Sequence, residues 1–249
     1  MRRFARRWGE LRDTLVRAER WLLPGSCLLC DEEARDDSLI CDTCCHRFSR
    51  LAHPQCSRCG QPLVPGIDCR LCAQWPSGFQ AVQSAVWLDD RARRAVHLLK
   101  YDGWWRVAEA MARVTVTVLT IPPTASLVPI PLSAGRARTR GYNQSAVLAE
   151  AMAIRLGLPV VPLLRRARDT GTQTALTPEA RRANLVGAFV VAAPPPVNPV
   201  LVDDVFTTGA TLAEAAQALL AAGASRVSGV TFARAARPLA DAVASLSSR

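Results

Sequence analysis

Apolar positions recur along this chain in distinct rhythms, and each predicts a different kind of structure. At the start, Phe4, Trp8, Leu11, Leu15, Ala18 and Leu22 follow alternating steps of four and three, with arginines elsewhere on the helix. That stripe predicts an amphipathic helix over residues 1–24, packed on its own protein or a partner, with an anionic membrane surface as the alternative seat. From residue 79 onward, short apolar runs alternate with helical spacing. Strands are predicted over 81–88, 126–132 with its exit loop, 160–164, 187–191 and 226–233, and helices over 91–100, 106–117 and 143–156. Such alternation predicts an α/β domain over 79–238, followed by a Ser/Ala-rich tail at 239–249.

The most informative strand starts at Pro199. Val200, Leu201 and Val202 form an uninterrupted apolar run, as in a parallel strand covered by helices on both faces, and Asp203 and Asp204 come where that strand should end. Thr207, Thr208, Gly209, Ala210 and Thr211 then turn the chain into a helix that Gly223 can terminate. Free N–H groups at a helix start, three threonine hydroxyls and a glycine suit a phosphate dianion. The two acids would repel that phosphate, and their spacing fits a vicinal diol donating two hydroxyl protons. Strand end and helix start together read as a grip for ribose 5-phosphate, at the usual ligand edge of an open α/β sheet.

This segment resembles the phosphoribosyl-pyrophosphate (PRPP) binding motif of type I phosphoribosyltransferases. The resemblance implies Asp203 and Asp204 on the ribose hydroxyls, Thr207, Thr208, Gly209, Ala210 and Thr211 around the 5′-phosphate, and Val205 and Phe206 within the same site. Val128 to Ser133 is similar to the pyrophosphate loop of that family, which places Pro131, Leu132 and Ser133 at the ligand, followed by Arg136, Arg138 and Arg140. Residues 165–184 fall where the fold carries a mobile hood that excludes water from the reactive centre. A departing pyrophosphate needs Mg²⁺ and cationic side chains to take up its charge.

Cysteines organise residues 25–78. Cys27 and Cys30, Cys41 and Cys44, Cys56 and Cys59, and Cys69 and Cys72 are four Cys-x-x-Cys knuckles in close succession. Two knuckles complete one tetrahedral four-thiolate zinc site, so the segment predicts two structural Zn²⁺ ions, paired sequentially or interleaved. Cys45 is a spare thiol. A disulfide framework would require an oxidising compartment. The Arg-rich start lacks the apolar core of a secretory signal, and no stretch reaches the length of a membrane span, so a cytoplasmic location with zinc is expected.

A net charge of +10 predicts attraction to phosphates or nucleic acid. Nearly all the basic residues are arginine. Lys100 is the only lysine, a compact charge suited to work near phosphates.

The knuckles, Leu98 to Gly103, the Val-Pro-Ile-Pro-Leu segment ending at Leu132, Arg140-Gly-Tyr-Asn-Gln144, Gln173, Arg181 to Asn184, Gly187 to Phe189 and the PRPP motif occur in an order that resembles the ComF family. The resemblance implies a type I phosphoribosyltransferase-like parallel sheet flanked by helices, preceded by a small four-cysteine zinc module. It also implies a role in natural transformation or DNA utilisation, with single-stranded DNA, PRPP or a nucleotide, and a competence helicase or DNA-processing protein as partners. Trp75, Trp87, Tyr101, Trp104 and Trp105 are available to stack on bases. A second expectation is an active phosphoribosyltransferase, in which a nitrogen nucleophile attacks C1′ of Mg²⁺-bound PRPP. Asp203 and Asp204 would fix the ribose, and Lys100, Arg138 or Arg140 would assist pyrophosphate departure. A third is a PRPP-sensing regulator that keeps the site without catalysis.

Overall fold

The computed structural model describes residues 25–32, 34, 38–51, 54–63, 69–167 and 187–235. The stripe over 1–24, most of the basic stretch 165–184 and the tail 239–249 lie outside the described residues. The chain divides into two compact units, Met1–Arg47 and Phe48–Arg249, so the second cysteine group belongs to the same unit as the sheet. The first unit carries the first cysteine group and a one-turn helix, α1 (Asp42–His46).

In the second unit the elements run β1 (Phe79–Trp87), α2 (Asp90–Lys100), α3 (Val107–Val118), β2 (Ser126–Pro129), α4 (Ala134–Arg140), α5 (Gln144–Leu156), β3 (Leu164–Arg166), β4 (Phe189–Val191), β5 (Pro199–Phe206), α6 (Ala210–Ala221) and β6 (Val227–Arg234). Four strands form one parallel sheet in the order β1-β6-β5-β2. The register sets Val128 beside Leu201, Val202 beside Val230 and Phe206 beside Arg234. Helices α3 and α5 pack on each other, α3 against β1 and β6, and α5 against β2 and β5. Leu212, Ala215, Ala216 and Leu219 of α6 join a buried cluster with Phe79, Val82, Val128 and Leu201. Cys59, Leu71, Cys72 and Trp75 belong to the same cluster.

In the second unit, three elements differ from the sequence reading. β5 continues through the acid pair to Phe206, because β6 pairs with it as far as Arg234. Helix α4 has no buried residue and thus no apolar stripe to announce it; the Ser133 side chain caps its start and Gly141, at φ +77°, ends it. Val160 makes only an isolated parallel bridge to Leu127, and the strand falls at β3, paired antiparallel with β4. Pro162 has no N–H with which to extend the parallel pairing. Among the described residues no helix is long and apolar enough to cross a membrane.

Candidate functional site

The site is built where β5 ends and the start of α5 lies beside it. Asn143 caps α5, accepting at Oδ1 from the Ser145 N–H at 3.1 Å, while its Nδ2 donates to the Ile130 carbonyl at 2.9 Å. The helix start is thereby tied to the chain leaving β2. The next two side chains reach the acids. Ser145 Oγ donates to Asp203 Oδ1 at 2.7 Å, and Gln144 Nε2 donates to Asp204 Oδ1 at 3.4 Å. Gln144 Oε1 in turn accepts from Arg140 Nη1 at 2.5 Å.

Lys100, the last residue of α2, places Nζ 2.5 Å from Asp204 Oδ2; the Asp204 side chain is 4% exposed and the lysine's 21%. Asp203 has a different balance. Burial first, and the neighbouring Asp204 charge second, push its carboxyl up to about 7, against the opposing pull of Ser145 and Lys100.

Lys100, Pro131, Leu132, Arg136, Arg166, Asp203, Asp204, Val205, Thr207 and Thr211 line one cavity of about 470 Å³. Arg166 Nε donates to the Pro131 carbonyl at 3.1 Å, joining β3 to the loop after β2. Gly209 is the N-cap of α6 at φ +77°, and Thr208 Oγ1 accepts from the Ala210 N–H at 3.4 Å. Helix α6 thus starts directly after the C-terminal end of β5, and a helix start carries free N–H groups suited to an anion. Phe206 points the other way. Its ring is buried between Trp75, at 6.1 Å, and the Arg234 guanidinium, at 4.3 Å.

Ser133, Arg138 and Arg140 line an adjoining groove of about 1010 Å³ that shares Lys100, Tyr101, Arg136 and Gln144 with the cavity. Tyr101 is 69% exposed there, with the Arg140 guanidinium 5.3 Å from its ring centre. Trp75 is buried, and Trp87, Trp104 and Trp105 are half-buried. The Tyr142 hydroxyl donates to the Leu99 carbonyl, anchoring the end of α2 beside the link between α4 and α5.

The cysteines group sequentially, Cys27, Cys30, Cys41 and Cys44 in one set and Cys56, Cys59, Cys69 and Cys72 in the other, with all sulfurs of a set within 4.8 Å of one another. Four sulfurs held tetrahedrally about 2.3 Å from an ion stand about 3.8 Å apart. The structure has 3.8 Å for Cys30 to Cys41, 3.7 Å for Cys56 to Cys72, 3.9 Å for Cys69 to Cys72 and 3.4 Å for Cys59 to Cys69. Backbone N–H groups of Leu29 and Cys41 point at Cys27 Sγ, and that of Cys44 at Cys41 Sγ, as thiolate ligands require. Both sets fit a zinc ion. Cys45 stands outside them, its Sγ 3.9 Å from the Ile40 carbonyl.

Sequence reasoning missed the supports of the acids. Ser145 has no place in the sequence reading, and Gln144 enters it only as part of a motif; the available signal is the Asn-Gln-Ser helix start itself, whose polar residues face a sheet edge. Arg166 gave no signal apart from the other arginines. Gln173 and residues 181–184 lie outside the described residues.

Comparison with known proteins covers most of the chain. A double zinc ribbon domain matches residues 18–73, and a phosphoribosyl transferase domain matches residues 143–244. The chain is 35% identical over 218 residues to the DNA utilization protein YhgH of Salmonella typhimurium, spanning 82% of this chain and 95% of that protein. It is 32% identical to YhgH of Escherichia coli strain K12 over the same shares. It is 27% identical over 230 residues to the competence protein ComFC of Bacillus subtilis, spanning 84% of this chain and 94% of that one.

Proposed function

The chain belongs to the ComF family of DNA utilization and competence proteins, and we propose that it is a cytoplasmic member that binds a PRPP-type ligand at the β5–α6 turn and single-stranded DNA on the basic groove beside it. The observation that carries this reading is the meeting of Asp203, Asp204, Lys100, Thr207 and Thr211 in one cavity. Acceptors for a ribose diol stand beside a loop for its 5′-phosphate, and Arg136 and Arg166 supply charge for a diphosphate. Mg²⁺ would arrive with the diphosphate and neutralise part of it, leaving Asp203 and Asp204 to the sugar. Zinc in each cysteine set would hold that set's own segment together, and a reducing compartment keeps those thiols as ligands.

The groove supports the nucleic-acid half of the proposal. Arg136, Arg138 and Arg140 offer charge to phosphates, while the exposed Tyr101 ring with its stacked arginine offers a face to a base. Single-strand binding should weaken with salt by about 0.7 in the log–log slope for each phosphate neutralised. Arg138→Ala/Arg140→Ala should lower that slope by about 1.4, measured by anisotropy of a labelled oligonucleotide across a salt series. An unchanged slope and affinity would move DNA off this groove.

A second reading, catalysis, is favoured by the Lys100 ion pair lying inside the ligand cavity, where a cation can follow a departing pyrophosphate. Pyrophosphate release from Mg²⁺-PRPP in the presence of single nucleobases tests it. Binding without turnover for any base leaves a sensor.

A further inference from the structure

The second cysteine set does more than close its own loop. Trp75 follows Cys72 by three residues and lies 8% exposed, its ring 4.7 Å from that of Phe79 and 6.1 Å from that of Phe206. A Cβ placed on Gly209 would meet Trp75 Cζ2 at 2.7 Å and the Phe206 ring at 2.8 Å. The indole therefore lies directly against the backbone of the phosphate loop, at the residue that begins α6.

Trp75 is held there by the ribbon. Arg58, between Cys56 and Cys59, donates to the carbonyls of Cys72 at 3.1 Å, Trp75 at 3.3 Å, Pro76 at 2.6 Å and Phe79 at 3.0 Å. Its guanidinium also sits 5.7 Å from the Trp75 ring centre. Arg234, at the end of β6, supplies a second tie. It is 1% exposed, covers Phe206, and donates to the Cys59 carbonyl at 2.5 Å and to Gln61 Oε1 at 2.8 Å. The residue before the phosphate loop and the glycine within it thus both rest on a segment whose shape four thiolates and one ion would set.

We infer that zinc bound by Cys56, Cys59, Cys69 and Cys72 controls the affinity of the phosphate loop for its anionic ligand, with Trp75 as the positioning residue through which it acts. The inference rests on the ribose-phosphate reading of that loop. Metal in the second set holds the Arg58 carbonyl network in shape. That network holds the indole, and the indole holds the loop in the conformation whose N–H groups converge on a phosphate. The first set, in the other compact unit, is the internal comparison.

The test uses full-length, zinc-replete protein with Mg²⁺-PRPP as the probe, reading calorimetric affinity beside amide hydrogen exchange at residues 205–211 and at 144–156. Trp75→Ala is expected to weaken binding by about tenfold or more and to speed exchange at 205–211, leaving 144–156 protected. Trp75→Phe, which keeps an aromatic face, should restore binding to within about threefold. Cys72→Ser should behave like Trp75→Ala, and Cys30→Ser like wild type. Wild-type affinity and exchange in Trp75→Ala would overturn the inference, as would equal losses in Cys30→Ser and Cys72→Ser. If Cys72→Ser loses protection everywhere, the Trp75 pair decides alone. Failure of the wild type itself to bind Mg²⁺-PRPP would refute the ligand reading, and the link from ribbon to loop would then stand or fall on exchange at 205–211.

Discussion

Asp203 and Asp204 are neighbours in one strand and yet meet different partners. Asp204 has Lys100 against it, whereas Asp203 relies on Ser145 and is pushed up to about 7 by burial and by Asp204. Its ordinary value in an unfolded chain is about 3.9, so the folded state binds a proton more tightly than the unfolded one. The stability this contributes is full below about pH 4 and is lost as pH rises through about 7. Asp203→Asn is neutral throughout. It should therefore gain on the wild type between pH 5.5 and 7.5 in urea denaturation of ligand-free, zinc-replete protein, and a gap constant across that interval would contradict the assignment. Lys100→Ala leaves Asp204 buried without its counter-ion and should destabilise by about 2 to 4 kcal/mol, most of it recovered in Lys100→Ala/Asp204→Asn. Equal denaturation midpoints for wild type and Lys100→Ala would show that the pair contributes nothing. The lysine's singularity in the sequence flagged it, but its partner was invisible there, because Asp204 lies 104 positions further along the chain.

At the scale of elements, the position of the acids depends on where β5 stops and α5 starts. The apolar run of β5 was legible because a strand covered on both faces carries an unbroken hydrophobic sequence. Its extension past the acids was not, since charged residues normally mark a strand's end and only pairing with β6 carries it further. A helix over 143–156 was legible from its spacing, while the cap at Asn143 and its duty of presenting Gln144 and Ser145 to the acids were not. Asn143→Ala removes both the cap and the bond to Ile130, and should cost about 1 to 2 kcal/mol in chemical denaturation. Because Gln144 and Ser145 lose their anchor together, ligand affinity should fall as well. Loss of stability with unchanged affinity would show that the helix start does not position the acids. Helix α4 escaped the sequence reading for a plain reason: a helix that buries nothing leaves no periodic trace.

Over the whole molecule, the order of modules could be read from the chain, since cysteine knuckles and the acid-threonine segment are dense local signals. Which cysteines group together follows from how each short segment folds on itself, and that the second set shares a hydrophobic cluster with α6 follows from contacts between segments more than a hundred residues apart. A zinc ribbon and an α/β sheet are each common frameworks. Here the segment carrying the second cysteine set lies against the loop proposed to face the ligand. The central claim is that this loop and the acids before it grip a ribose 5-phosphate carrying a diphosphate. Calorimetric titration of the zinc-replete protein with Mg²⁺-PRPP, beside Asp203→Asn/Asp204→Asn, tests it most directly. The account predicts saturable binding to the wild type, competition by ribose 5-phosphate, and loss of about tenfold or more in affinity in the double variant. Absence of binding to the wild type, or equal binding to both proteins, would contradict it.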